Sequence, residues 1–389
     1  MPVYPGFLAT VFWTFGGSLL AVVLVQILVD SLSCVLIYRL GEMLWEGNGF
    51  LSGILAAFNL GMITYSHFVL NDSLFLFVFL LFLIGLVRYL REPSWQGSVL
   101  LGVVLGAATM IRPVITYLPL ALIPLIFLAL LIKHHQLFLP AAGKALAVGI
   151  VFVICLVPWM ARNYAHYGRW SLTAQSGEHL LQYIVPFTWQ YSRGVPFIEG
   201  MRQTSDAFKE KAAKANLDLN KASPFEVSDF HVKMAMDYLR EEPKSAIAKA
   251  WFFGMVKNLF APSIIDFSYL LKIERPHFFY TEGTTTLERA WNFMTGMKGW
   301  FGWAVVGSMV VLGLSRVIQV WGLGRMFRTN PWESLLLVLI IAYFLIVSGP
   351  VGYAKYRLPF EPILIVFLAV GLKDLYGRLR RTRVQEGRA

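Results

Sequence analysis

Uncharged apolar runs of helical length recur along this chain and restrict it more than any other feature. "LFLFVFLLFLIGLV", residues 74–87, is one of them. In hydrocarbon every backbone N–H and C=O must be satisfied within its own segment, so runs of this kind fold as helices. They are expected near residues 18–38, 49–67, 72–90, 97–112, 114–132, 144–161, 299–321, 331–349 and 358–376. The composition agrees: 57% of the 389 residues are hydrophobic and only 15% are charged, with a mean hydropathy of +0.60. That excludes an ordinary soluble domain. The fold class is an all-α polytopic membrane protein of about nine transmembrane helices.

The net charge of +11 gathers in short loops and in the tail "KDLYGRLRRTRVQEGRA", which reads as a topology signal and not as a nucleic-acid surface. One set of alternate connections carries Arg39, Arg88, Arg91, Lys133, Lys144, Arg316, Arg325 and Arg328, followed by the basic tail. The opposite set carries Arg112, Lys355 and Arg357. The richer set is expected on the cytoplasmic side, which turns Asp72 outward and, with nine spans, the N-terminus as well. The start, "MPVYPGFLATVFW", lacks the basic n-region and cleavage site of a signal peptide. Cys34 and Cys155 fall inside apolar runs, with no Cys/His ligand spacing around them.

Between the sixth and seventh runs lies a polar insertion. Its segment "SPFEVSDFHVKMAMDYLREEP" places Ser223 as N-cap, Pro224 at the first helical position and Glu226 three residues after the cap. That is a capping box, and the helix should end near Glu242, before Pro243. The next stretch, "KSAIAKAWFFGMVKNLFAPS", spaces Lys244, Lys249 and Lys257 among aromatics and reads as a helix in the membrane interface. The expected division is an N-terminal transmembrane module over 1–161, an extracytoplasmic, mainly helical insertion over 162–298, C-terminal transmembrane helices over 299–376 and a basic cytoplasmic tail over 377–389.

Ionisable groups at the ends of spans are the informative ones, because each is costly unless paired or functional. Asp72 opens the third run as either a site carboxylate or a first-turn acid favoured by the helix dipole. Arg112, fixed by Pro113, suits a phosphate or anchors the interface. Arg162 lies in an aromatic belt with Trp159, Tyr164 and Trp170 and has the same two readings. In "SGPVGYAKYRLPFEP", residues 348–362, glycines and prolines break the helix around Tyr353, Lys355, Tyr356 and Arg357. A cationic, aromatic, irregular loop of this kind suits a lipid phosphate and a sugar ring. Asp30 and Gln26 share one face of the first run and should point into the bundle. His67 reads as structural.

In order along the chain, "YPGFLATVFW", "LNDSLFLFVFLL", "GAATMIRPVITYLPL", "PWMARNYAHYGRWSLTAQSGEHLL", "DFHVKMAMDYLREEPKSAIAKAWFFGMVKNLFAPS" and "YAKYRLPFEPILIVFLAVGL" resemble segments of the GT-C glycosyltransferases. The likeness is to the group related to the dolichyl-phosphate-mannose protein mannosyltransferases and the lipid A aminoarabinose transferases, and it covers nearly the whole length. It implies a GT-C-like bundle in a bacterial cytoplasmic membrane, working at its periplasmic or extracellular face. The implied chemistry is inverting transfer of a sugar from a polyprenyl-phosphate donor to a lipid, glycan or protein acceptor. Asp72 takes the catalytic acidic position. Arg112, Arg162, Lys355, Arg357, Tyr353 and Tyr356 are the implied phosphate and donor contacts. Some relatives use a divalent cation such as magnesium or manganese, for which Asp72 is the one candidate ligand here. Membrane lipids are the other implied partners, with no nucleic acid. "MPVYPG" matches the segment that follows the family's first span and its outer loop with the principal catalytic Asp. The sequence given therefore starts after both, as expected of a start site placed too late, of a fragment, or of a divergent member in which His67, Asp72 or Asp206 stands in. The alternative is a lipid-linked-sugar binder or assembly subunit on the same fold.

Overall fold

The computed structural model describes residues 1–276, 281, 286–297 and 299–386, and among these it is all helix and loop, with no strand. They divide into two compact units: Met1–Pro158, Val310–Phe344 and Arg357–Ala389 in the first, Trp159–Met309 and Leu345–Tyr356 in the second.

The first unit begins with α1 (Val3–Phe15) and α2 (Leu19–Leu44). Between them Gly16 and Gly17 both take positive φ, and Ser18 caps α2 by accepting from the Ala21 N–H. Next come α3 (Gly49–Ala57) and α4 (Leu60–Ser66), bent by 53° at their junction. The bend has a local cause: the side chain of Asn59 caps α4 by accepting from Met62 N–H, which starts a new helix inside an apolar run. Then follow α5 (Asp72–Arg91), α6 (Trp95–Ile111), α7 (Leu118–Ile132) and α8 (Phe138–Tyr167). The later helices with residues in this unit are α16 (Gly299–Thr329), α17 (Pro331–Ser348) and α18 (Glu361–Glu386).

Each of the nine expected stretches is helical. Among the described residues five helices, α2, α5, α8, α16 and α17, are long and apolar enough to cross a membrane unaided, and the bent pair makes a sixth if counted as one span. The helices α6 and α7 are apolar but shorter, and α18 carries Glu361, Lys373 and Asp374. Two readings change. Residues 3–15, left without a span, form an apolar helix. Arg316, Arg325 and Arg328, assigned to a cytoplasmic connection, all lie inside α16, because that helix runs unbroken through these polar positions to Thr329.

Packing in this unit depends on aromatic stacking and close backbone approach, since lipid is as apolar as the side chains. Phe75, Phe79 and Phe82 of α5 are fully buried, and Phe79 meets Phe344 edge-on with centroids 5.5 Å apart. A Cβ on Gly322 of α16 would fall 2.0 Å from the Phe367 carbonyl oxygen of α18, so the two helices cross there only because the residue is glycine.

The second unit contains α9 (Gln175–His179), a π-helical turn (Leu180–Ile184), α10 (Val185–Ser192), α11 (Phe197–Lys214), α12 (Pro224–Glu241), α13 (Lys244–Phe260), α14 (Ile264–Leu270) and α15 (Thr286–Gly296). Its core joins Leu181, Val185 and Trp189 to Phe208, Ala212, Met234 and Ala235. The capping box forms as read: Ser223 and Glu226 satisfy each other's backbone N–H groups, and Glu242 ends α12. On α13 every fourth residue is buried, Ala246, Ala250, Gly254 and Asn258, while Phe252 and Phe253 are exposed. Residues 345–356 lie across that small-residue face. A Cβ on Gly254 would sit 2.2 Å from the Gly349 carbonyl oxygen. Trp251 Nε1 donates to Ile346 O at 3.2 Å, and Tyr353 N donates to Asn258 Oδ1 at 2.9 Å.

His231 of α12 is buried against Phe208, with ring centroids 4.1 Å apart. Burial holds its pKa below the ordinary 6.5, with the Glu178 carboxylate pulling the other way, and burial lowers that of His179 too. The unfolded chain therefore takes up these protons first. The contribution to stability is complete above about pH 6.5 and is lost as pH falls below it. Protection factors of α11 and α12, which correct hydrogen exchange for its intrinsic slowing at lower pH, are expected to fall between pH 6.5 and 5, and to fall less in His231→Phe. An equal response in the two proteins removes His231 as the cause.

Candidate functional site

The seven sequence-derived site residues fall in both units. In the first, Asp72 and Arg112 form an ion pair. The pairing follows from local structure. Asp72 opens α5 just after Asn71, whose side-chain amide donates to Ile111 O at 3.1 Å and so ties the start of α5 to the end of α6. Arg112 follows at once. It is extended (φ −141°, ψ 115°), as Pro113 requires of its neighbour, and this turns its guanidinium onto the Asp72 carboxylate. The Phe75 ring lies 5.8 Å below the guanidinium. Asp72 is fully buried, whereas the Arg112 side chain keeps 15% of its surface accessible. The pair presents a fixed cation with one open edge, a geometry that suits a phosphate oxygen.

Arg357 also lies in the first unit, within a 3₁₀ turn (Ala354–Phe360) that leads into α18. It is 4% exposed and paired with Glu361. Glu361 also accepts from Asn59 Nδ2 at 3.0 Å and lies near Arg316, whose side chain hydrogen-bonds Gln319. Gln26 and Asp30 are buried as read; Gln26 donates to Ser66 O and Phe68 O and accepts from the Tyr4 hydroxyl. His67 is exposed and its Nδ1 contacts Ile63 O at 2.7 Å.

The second unit holds the other four. Arg162 is exposed over the rings of Trp159 and Tyr167, 5.0 and 5.6 Å from their centroids, and hydrogen-bonds Asn163 Oδ1 at 3.0 Å. Tyr353 and Tyr356 line a cavity of about 430 Å³. Lys355 stands half-buried between them in sequence. Phe187 and Phe197, stacked with centroids 4.1 Å apart, form part of the cavity wall.

Three polar residues that the sequence reading did not select as site residues also line this cavity. Asp266 of α14 is buried and accepts a hydrogen bond from the Tyr353 hydroxyl. Burial first, and the Asp266 charge second, push the Tyr353 phenol well above its ordinary range, so it remains a donor. Lys257 stands over the Phe187 ring at 4.7 Å. Arg275 lies over Tyr269 at 4.7 Å and donates from Nε to Ser268 Oγ at 2.7 Å. The sequence did offer one signal for Asp266: it is the single acid in the otherwise uncharged stretch "FAPSIIDFSYLL". An aromatic chamber with two cations and a carboxylate–phenol pair can hold an amphiphile that is apolar over most of its length and anionic at one point.

A divalent cation needs several oxygen ligands at one place. Among the described residues no group of three or more His, Cys, Asp or Glu converges, and the Asp72 carboxylate is engaged by Arg112. The residues present do not fit such an ion.

Residues 1–161 match the family model of the dolichyl-phosphate-mannose-protein mannosyltransferases. Over that stretch the likeness to the GT-C membrane glycosyltransferases is shown. No curated protein matches the chain.

Proposed function

We propose, from the match of residues 1–161 to the mannosyltransferase family, that this multi-pass membrane protein transfers a sugar from a polyprenyl-phosphate donor to a lipid, glycan or protein acceptor. Transfer takes place at the outer face of the membrane, in the reading proposed here the periplasmic or extracellular face of a bacterial cytoplasmic membrane. The family match carries the proposal, and the aromatic, cationic cavity of the second unit supports a lipid-linked donor.

The acceptor oxygen attacks the anomeric carbon from the face opposite the phosphate, so the configuration inverts. The bond from that carbon to the phosphate oxygen breaks, the phosphate leaves with the electron pair, and the acceptor proton passes to a carboxylate. The proposed phosphate contacts are Arg112 and Arg357 in the first unit and Arg162 and Lys355 in the second, where Tyr353 and Tyr356 are proposed beside the donor and Lys257 and Arg275 are added from the cavity. Two carboxylates compete for the proton: Asp72, which already faces Arg112, and Asp266, which already accepts from Tyr353.

Transfer of labelled sugar from a polyprenyl phosphate, measured in proteoliposomes of the wild-type chain, Asp72→Asn and Asp266→Asn, tests the proposal. Transfer by the wild type and a loss of 10²-fold or more in one variant, a scale typical of general-base removal, identifies the carboxylate that takes the proton. Donor binding with no transfer by the wild type favours the binder or assembly subunit. The absence of both overturns the proposal.

A further inference from the structure

We infer that α16 carries, apart from the transfer site, a binding site for an anionic phospholipid at its arginine-rich end. Val317, the pair Val320 and Trp321, the pair Gly324 and Arg325, and Arg328 recur every three to four residues, so they form one helical stripe, and they line a cavity of about 330 Å³. The stripe changes character along its length. Val317 and Val320 are about 70% exposed, on a helix long and apolar enough to span a membrane. The two arginines lie one to two turns further on, with Trp321 at the transition, where a tryptophan in a membrane helix commonly meets the headgroups.

The neighbouring helix α18 builds the other half of this arrangement. Asp374 accepts from Trp321 Nε1 at 2.9 Å and from Arg378 Nε at 2.9 Å, and lies 3.1 Å from Arg325 Nε. The Arg378 guanidinium stacks 5.0 Å over the Trp321 ring. One acid thus orders an indole and two guanidinium groups, and its single charge is shared between Arg325 and Arg378. Arg328 pairs with no acid among the described residues. Arg328 therefore leaves a positive charge, with Arg325 beside it, next to an apolar slot.

An anionic phospholipid matches both ends of this slot: an acyl chain along Val317 and Val320, and a phosphodiester against Arg325 and Arg328. A zwitterionic headgroup brings an ammonium to the same cations and loses the advantage. Basic pockets beside membrane helices select anionic headgroups for this reason, at about 1 kcal/mol per cation, or about five-fold in affinity.

Native mass spectrometry of the full-length protein, exchanged into mixtures of dioleoyl phosphatidylglycerol and dioleoyl phosphatidylcholine, reads the site directly. Arg328→Gln removes no ion pair among the described residues and should lower retained phosphatidylglycerol about five-fold, with phosphatidylcholine adducts unchanged. Arg328→Lys should retain most of the binding. Equal retention of phosphatidylglycerol by wild type and Arg328→Gln overturns the inference. Displacement of phosphatidylglycerol from this site by equimolar polyprenyl phosphate also overturns it, by reassigning the slot to the donor lipid. Sugar transfer by Arg328→Gln at the wild-type rate is expected, so failure of this site and failure of the transferase reading are separable.

Discussion

Asp72→Ala should destabilise the first unit by about 3–5 kcal/mol, the usual consequence of stranding one member of a buried ion pair. The carboxylate is fully buried, and its partner Arg112 is 15% exposed, so little water can reach the orphaned guanidinium. Arg112→Ala should cost a similar amount from the other side. Replacing both, Asp72→Leu with Arg112→Met, should recover most of the loss, because two apolar groups of similar volume need no desolvation. Thermal unfolding in detergent reads the stability, and the sugar-transfer assay reads the function. A double variant that is stable but inactive assigns the pair to the site. One that is stable and fully active reduces the pair to a fastening between α5 and α6. A single variant that melts like the wild type would show that the pair contributes nothing.

Glu361 is expected to be the second position of large effect. It binds Arg357 and Asn59 and faces Arg316, so it joins the start of α18 to the break between α3 and α4 and to α16. Glu361→Ala leaves the buried Arg357 and the neighbouring Arg316 without the acid that both act on, which should cost about 3–5 kcal/mol or prevent folding. Glu361→Gln can keep the bond from Asn59 but not the charge, and should fall between alanine and wild type. The ranking wild type, then Gln, then Ala in detergent melting temperature checks this. Gln and Ala variants that melt together would mean that charge balance, and not the Asn59 bond, is all that Glu361 supplies.

The Asn59 bond also bears on the geometry near Asp72. Asn59 uses one atom of its side chain to cap α4 and another to reach Glu361. Ser66 and Phe68, at and just beyond the end of α4, are held by Gln26 of α2, and Asp72 follows four residues later.

How much of this was legible depends on how local each cause is. The capping box of α12 was readable because Ser223 and Glu226 are three residues apart and need no other partner. The pairing of Arg357 with Glu361 was readable in principle, since the two are four residues apart inside the quoted loop segment. Glycines and prolines in the same segment interrupt the helical periodicity that marks such a pair. The bend at Asn59 left only a weak trace, one cap-forming residue inside an apolar run with no proline. Asp266 and Tyr353 are 87 residues apart, and no periodicity carries such a relation.

The sequence by itself determined that this chain is a helical membrane protein and roughly where its helices run. Hydrocarbon forces each backbone group to find its partner a few residues away, so segment and structure coincide. Tertiary structure alone decided which polar groups meet. Arg112 was expected to face a phosphate and Asp72 to act as a carboxylate, but only the approach of α5 to α6 sets them against each other. Only the lay of residues 345–356 across the small-residue face of α13 brings Tyr353 to Asp266. Those contacts depend on the space left by Gly254 and on helix faces meeting over long separations in the chain, and neither is encoded in any one stretch.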